Sequence, residues 1–232
     1  IGPDDIFEGR YGFSQAFCEQ FTNDFIEHIG ESKYAIEEVS FKPYSSCRFT
    51  HSPIDTFLGI LDEHELKIDE IKEITVYTHH TAIEATMKPA ERKYNPLTTV
   101  DAQFSIPYCL GLVAKYKEVT PKMFEVSALN DREVLDIARK VSGYEDLSYT
   151  NLFPKQNACK LVVRTNNNTF EKEVMNSKGD PELPLTDDEL KGKFKSITNG
   201  ILQTTQQDEL ISAVFSIEKM NSINNLLDIL QT

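Results

Sequence analysis

Apolar positions along this chain repeat at helical spacing in some stretches and alternate in others, and the switches between the two periods outline its elements. Phe17, Phe21, Phe25 and Ile29 lie four apart, which predicts a helix over 14–29 stopped by Gly30. Residues 36–44 read as a strand, ended by Pro43 and the pair Ser45–Ser46. Ile54, Phe57, Leu58 and Leu61 recur at i, i+3, i+4 and i+7. With Ser52 as N-cap and Pro53 as first helical residue, they predict a helix over 53–65. Ile71, Ile74 and Val76 among Thr75, Tyr77 and Thr78 suit a strand within 68–85. A strand sends His79 and His80 to opposite faces, where they are poor joint ligands for a metal.

Residues 88–96 form a polar, proline-punctuated loop, after which Thr98 and Thr99 can cap a helix over 101–116. Pro107 falls inside that helix and should kink it. Such a kink beside Tyr108 and Cys109 is either functional or a proline tolerated in a packed helix. Asn130 or Asp131 caps a short helix carrying Val134, Leu135, Ala138 and Val141. Segments 159–165 and 169–175 flank Asn166-Asn167-Asn168 and predict a hairpin, because asparagine tolerates the positive φ of a tight turn. After a loop over 176–184 come three helical patterns, the first opened by Thr186 and Glu189 in capping-box register. Hairpins and isolated strands, rather than a regular strand–helix alternation, predict an α+β fold.

Asp and Glu number 37 against 24 Lys and Arg, a net charge of −13 that argues against nucleic acid as the main partner. No segment approaches the roughly 20 apolar residues of a membrane span. Cys18, Cys47, Cys109 and Cys159 lack the close spacing of a zinc or iron–sulfur site and read as free thiols of a cytoplasmic protein. Asn167-Asn168-Thr169 is a formal glycosylation sequon and reads here as a polar turn. A start at Ile1-Gly2-Pro3 without methionine is expected of a processed terminus or of a piece of something longer.

Against that acidic background, residues 41–51 bring Lys42, Arg48 and His51 together just before a predicted helix N-terminus. The unpaired N–H groups and dipole there also favour anions, so a small carboxylate is a natural ligand. The same loop reads equally as a solvated surface segment.

Four stretches resemble the MmgE/PrpD family, which includes 2-methylcitrate dehydratases, cis-aconitate decarboxylases and iminodisuccinate epimerases. They are Phe7-Glu8-Gly9-Arg10-Tyr11-Gly12-Phe13, the segment from Lys42-Pro43-Tyr44 through Thr50-His51-Ser52-Pro53-Ile54-Asp55, Asp101-Ala102-Gln103-Phe104-Ser105-Ile106-Pro107-Tyr108, and Lys178-Gly179-Asp180-Pro181-Glu182 with the run 184–190. Ser45 departs from the family's usual proline. The resemblance implies a C-terminal half: residues 1–31 ending a large helical domain, 32–180 forming a small mixed α/β lid, and 181–232 returning to the helical domain. It places the active-site histidine at His51, a lysine near the site at Lys42 and a substrate-facing tyrosine at Tyr108. Arg48 stands where many members carry a basic residue, although animal-type cis-aconitate decarboxylases differ there.

The implied reaction removes a proton, or carbon dioxide, next to a carboxylate of a di- or tricarboxylate. Charge then builds on that carboxylate and fixed cations stabilise it. Lys42 and Arg48 would bind substrate, His51 would transfer the proton and Tyr108 would donate or relay one, with no metal or other cofactor. Dehydration of a 2-methylcitrate-like substrate by a homodimer is the leading expectation. The competing one is a non-catalytic carboxylate-binding or dimerisation module, in which the cationic loop only recognises an anion. A zinc hydrolase built on His79 and His80 is a distant third.

Overall fold

The computed structural model describes residues 6–7, 9–10, 12–17, 30 and 34–230. The chain divides into two units, 1–39 and 40–232. In the first, a short helix α1 (Phe13–Phe17) realises the start of the predicted 14–29 helix, whose remainder lies outside the described residues. A 3-10 turn, Ala35–Glu38, stands where a strand was predicted, and no strand forms between 36 and 44.

The second unit is built on helix α2 (His51–Glu63), strand β1 (Glu73–Thr78), helices α3 (His80–Met87), α4 (Ala90–Tyr94), α5 (Thr99–Gln103), α6 (Ile106–Tyr116) and α7 (Arg132–Ala138), and strand β2 (Val141–Glu145). Helix α8 (Leu147–Leu152), the hairpin β3 (Cys159–Arg164) and β4 (Thr169–Val174), and helices α9 (Asp187–Thr198), α10 (Thr204–Val214) and α11 (Asn224–Asp228) complete it. The sheet order is β2-β1-β3-β4, with β1 and β2 parallel and the other neighbours antiparallel. It is therefore a mixed α/β unit, as the scattered strand signals imply.

Alternation decides which sheet face is covered. Ile74 and Val76 of β1 and Leu161 and Val163 of β3 are fully buried, and they meet Ile54, Phe57 and Ile60 of α2 in one core with Leu110 and Val113 of α6. The predicted apolar stripe of α2 thus does what its spacing implies. Burying its side chains contributes roughly 1.5–3 kcal/mol each.

Local chemistry corrects several boundaries. α2 begins at His51, and Ser52 lies inside its first turn rather than at the cap. The strand predicted within 68–85 is shorter, because His79 ends it and caps α3, its Nδ1 accepting the Ala82 N–H at 3.2 Å. The expected 101–116 helix is two helices. Ser105 caps the second by accepting the Tyr108 N–H at 3.0 Å, and Pro107 sits in the first turn, where a missing N–H breaks no helical bond. Pro107 therefore starts a helix instead of kinking one.

The hairpin forms, but no asparagine in its turn has positive φ. Thr165 closes it instead, its Oγ1 accepting the N–H groups of Asn167 and Asn168 at 3.3 and 3.0 Å. Strand β2, which carries Gly143 and an alternation too short to stand out, was not predicted.

Two glycines give opposite expectations. A Cβ on Gly111 in α6 would lie 2.3 Å from the Val134 carbonyl of α7, whereas one on exposed Gly192 in α9 would meet nothing within 4 Å. Gly111→Ala should destabilise by about 1–3 kcal/mol through overpacking. Gly192→Ala should stabilise by about 0.5–1 kcal/mol through helix propensity. Urea unfolding of both variants checks the pair; a Gly111→Ala variant as stable as wild type would contradict the α6–α7 packing, and a destabilised Gly192→Ala would contradict an open site on α9.

Candidate functional site

The loop 42–50 and the first turn of α2 gather at the carboxyl end of β1. Their shape is fixed from behind by a buried polar network whose directions can be read out. His79 Nδ1 is occupied as the α3 cap, so its proton is on Nε2, which donates to Asn157 Oδ1 at 3.0 Å. Asn157 Nδ2 is then free to donate to the Arg48 carbonyl at 3.2 Å and to Ser177 Oγ at 3.1 Å. Ser177 Oγ donates to Ser52 Oγ at 2.6 Å, and Ser52 Oγ donates to the Asn157 carbonyl. Phe153 stacks on the His79 ring at 4.2 Å and Phe49 meets it edge-on at 5.0 Å, shielding the network from water.

A second set of bonds holds the loop from the side. The Cys47 N–H donates to the Gln103 carbonyl at 2.8 Å, and Gln103 Nε2 donates back to the Ser45 carbonyl at 3.0 Å. Thr50 Oγ1 donates to the Cys47 carbonyl and therefore accepts from Ser46 Oγ, at 2.8 and 2.7 Å. Residues 176–183 close over the loop. The Phe41 N–H donates to the Gly179 carbonyl, and Gly179 has φ +90°, with no room for a Cβ beside the Phe41 carbonyl.

His51 is wholly buried at the head of α2. Arg48 Nη1 lies 3.4 Å from its Nδ1, and since a guanidinium only donates, Nδ1 carries the lone pair. Nε2–H then faces the Ser46 carbonyl at 3.4 Å. Burial first, then the charge of Arg48 and, more weakly, of Lys42 and Lys193, pushes the imidazole down to about 3, against the lift from Ser46. His51 is thus a neutral imidazole at physiological pH.

Tyr44 meets the His51 ring edge-on at 5.3 Å and donates its hydroxyl to Asp55 Oδ1 at 2.6 Å, while Asp55 Oδ2 accepts the Lys178 N–H at 2.8 Å. Burial raises the Tyr44 phenol far above its ordinary range, so it keeps its proton. Tyr44 and Ser46, which both touch His51, also line an open cleft of about 340 Å³ with Lys42, Cys47, Phe104 and Lys193. The imidazole therefore sits one side chain behind the cleft wall.

The structure brings three of the four residues singled out from the sequence into one neighbourhood. Lys42 is exposed on the cleft and near enough to bias His51. Arg48 touches His51 but is ion-paired with Asp180, whose carboxylate also accepts from Ser40 Oγ and the Ser177 N–H, both at 2.9 Å. Tyr108 is not drawn into the cluster. It is fully buried in α6, with its hydroxyl donating to the Met123 carbonyl at 3.0 Å and its ring 6.1 Å from Phe124. Its neighbour Cys109 is the residue turned towards Ser46 and Thr50.

Sequence reasoning missed Asp55, Asn157, Ser177, Asp180 and Lys193 as parts of this neighbourhood. Asp55 and Asp180 lay within quoted motifs, but nothing in the chain signalled that Lys193 reaches a loop 151 residues away. His79 and His80 part company as expected: His79 serves Asn157, and exposed His80 meets Glu145 at 3.0 Å.

The suppressed protonation of His51 couples folding to pH. Between its ordinary value of 6.5 and about 3, the unfolded chain binds a proton at this residue that the folded chain refuses. Stability must then fall as pH drops through that window, with a slope approaching roughly 1.4 kcal/mol per pH unit from this group. His51→Gln should flatten the dependence in urea unfolding between pH 6.5 and 4; an unchanged slope would contradict a buried, neutral His51.

Comparison with known proteins identifies the family. A profile of the MmgE/PrpD C-terminal domain matches residues 44–219, which include Arg48, His51 and Tyr108 and begin just after Lys42. The chain is 27% identical over 144 residues to the cis-aconitate decarboxylase-like protein oryM of Aspergillus oryzae. That match covers 60% of this chain and 28% of the relative's length. With the family's C-terminal domain spanning most of its length, the chain belongs to the MmgE/PrpD family.

Proposed function

We propose that this chain carries the proton-transfer group of a lyase that acts on a di- or tricarboxylate. One observation carries the reading: a neutral, buried imidazole sits behind a cleft edged by lysines, in a chain whose net charge is −13. Lys42 and Arg48 repel protonation of His51, and each is of the right charge to hold a substrate carboxylate. The lone pair on Nδ1 makes His51 a base rather than an acid.

In a dehydration, Nδ1 would have to turn from the Arg48 guanidinium and be reached past Tyr44 and Ser46. It then takes the proton next to a carboxylate, and the C–H electron pair forms the double bond. The C–O bond on the adjacent carbon breaks, and its hydroxyl leaves as water with the proton that His51 took, which returns the imidazole to its neutral form. Charge that builds on the carboxylate is met by the ammonium and guanidinium groups, and the reading needs no metal. The carboxylate would also raise the basicity of His51 as it enters. For Arg48 to serve, its bond to Asp180 must be shared or exchanged; for Tyr108 to serve, its hydroxyl must leave the Met123 carbonyl.

Dehydration of a 2-methylcitrate-like substrate is the first choice. Decarboxylation, the activity in the name of the Aspergillus oryzae relative, and epimerisation begin with the same polarised carboxylate. The complete burial of His51 favours one further reading, a cleft that binds carboxylates without turning them over. We place the chain in the small lid of a two-domain enzyme, with residues 181–232 returning to a helical domain.

Proton NMR in deuterated buffer with a panel of di- and tricarboxylates separates these readings. Catalysis predicts deuterium entry or product formation with one of them, slowed about 100-fold or more by His51→Asn, the scale of lost general-base assistance. Saturable binding with no exchange would favour the binding module. Exchange at the wild-type rate in the variant would remove His51 from the reaction.

A further inference from the structure

Helix α9 presents three lysines at alternate positions, Lys191, Lys193 and Lys195, and they do not behave alike. Lys191 pairs with Asp188 at 3.7 Å on its own helix, and Lys195 pairs with Asp208 of α10 at 2.7 Å. Lys193 has no carboxylate partner among the described residues, although α9 opens with Asp187, Asp188 and Glu189. Glu189 is taken by Lys178 at 2.9 Å and by the Thr186 cap.

Lys193 instead crosses to the loop before α2 and donates to the Lys42 carbonyl at 2.5 Å. That bond uses one of its three N–H groups. Its side chain lines the cleft together with Lys42 and Tyr44, and its charge is felt at His51. In a chain with 13 more acidic than basic residues, a lysine that ends on a backbone carbonyl beside Lys42, which has no carboxylate partner among the described residues, is a cation suited to a ligand from outside the chain. A carboxylate offers the acceptor oxygens that two ammonium groups lining one cleft lack.

We propose that Lys193 is a ligand-binding residue of the cleft, holding a substrate carboxylate together with Lys42 and so tying α9 to the loop. This rests on the reading of the cleft as a carboxylate site. A clamp made from two distant segments also accounts for specificity: the spacing between the ammonium groups depends on how α9 seats, not on the loop alone. Lys193 acts by contact and is given no part in moving the proton.

The test is calorimetric titration of the chain with tricarballylate, an unreactive tricarboxylate, at low ionic strength. Lys193→Gln keeps a donor for the Lys42 carbonyl while removing the charge, and should weaken binding by about tenfold or more, the worth of a charge-assisted hydrogen bond. Lys193→Arg should stay within about threefold of wild type, because the charge and donors remain. Lys195→Gln, which removes the same charge from the same helix, should bind as wild type. Thermal melts of the three variants check that each is folded. If Lys42→Gln weakens binding and Lys193→Gln does not, the clamp is wrong and the carboxylate cleft stands. Equal losses in Lys193→Gln and Lys195→Gln would reduce the effect to net charge and also overturn it. No binding by the wild-type chain would overturn both the clamp and the reading it rests on.

Discussion

Everything around His51 depends on one buried, directional chain of hydrogen bonds, from His79 through Asn157, Ser177 and Ser52 back to the Asn157 carbonyl. Each member has its donor and acceptor duties assigned by the one before it, starting from the imidazole nitrogen that caps α3. The network ties together the end of β1, the segment entering β3, the head of α2 and the loop after β4. It also explains why Ser52 is not the cap it resembles: its hydroxyl is needed elsewhere. Among the described residues no buried side-chain nitrogen or oxygen lacks a partner, so the site is held without polar groups left unpaired.

On that frame the electrostatics are unusual for an acidic protein. Lys42, Arg48 and Lys193 surround a buried imidazole that has no carboxylate on its ring. Two acids do stand close by, and each is committed. Asp180 neutralises Arg48, and Asp55 is held between the Tyr44 hydroxyl and the Lys178 N–H. Among the described residues, the pair of lysines on the cleft has no carboxylate partner. The fold thus spends its acidic residues on its outer surface and on fixing the loop, and leaves positive charge where a carboxylate would enter.

Much of this was legible in the residues. The apolar stripe of α2, the Asp131 cap, the β3–β4 hairpin and the Thr186–Glu189 capping box are all local signals, and each produced its element. The failures are where tertiary structure overrode local preference. Pro107 and Ser105 are as good a helix start as a kink, and only the turn before them decides. The segment 36–44 alternates like a strand but does not enter the sheet. For the site, the clustering of Lys42, Arg48 and His51 was visible because it is sequential. Asn157, Ser177 and Lys193 reach the same place from over a hundred residues away, and no spacing rule covers that.

As an anion site, the lysine-edged cleft would be electrically coupled to His51. The most direct measurement of that coupling is the ionisation of the His51 imidazole, followed by NMR in the wild-type chain with and without saturating tricarballylate. Coupling predicts that the free imidazole stays neutral well below its ordinary range, and that the bound tricarboxylate moves it upward by about one pH unit or more, the scale of a nearby opposite charge. A His51 that titrates at the same pH whether or not the ligand is bound would contradict the account.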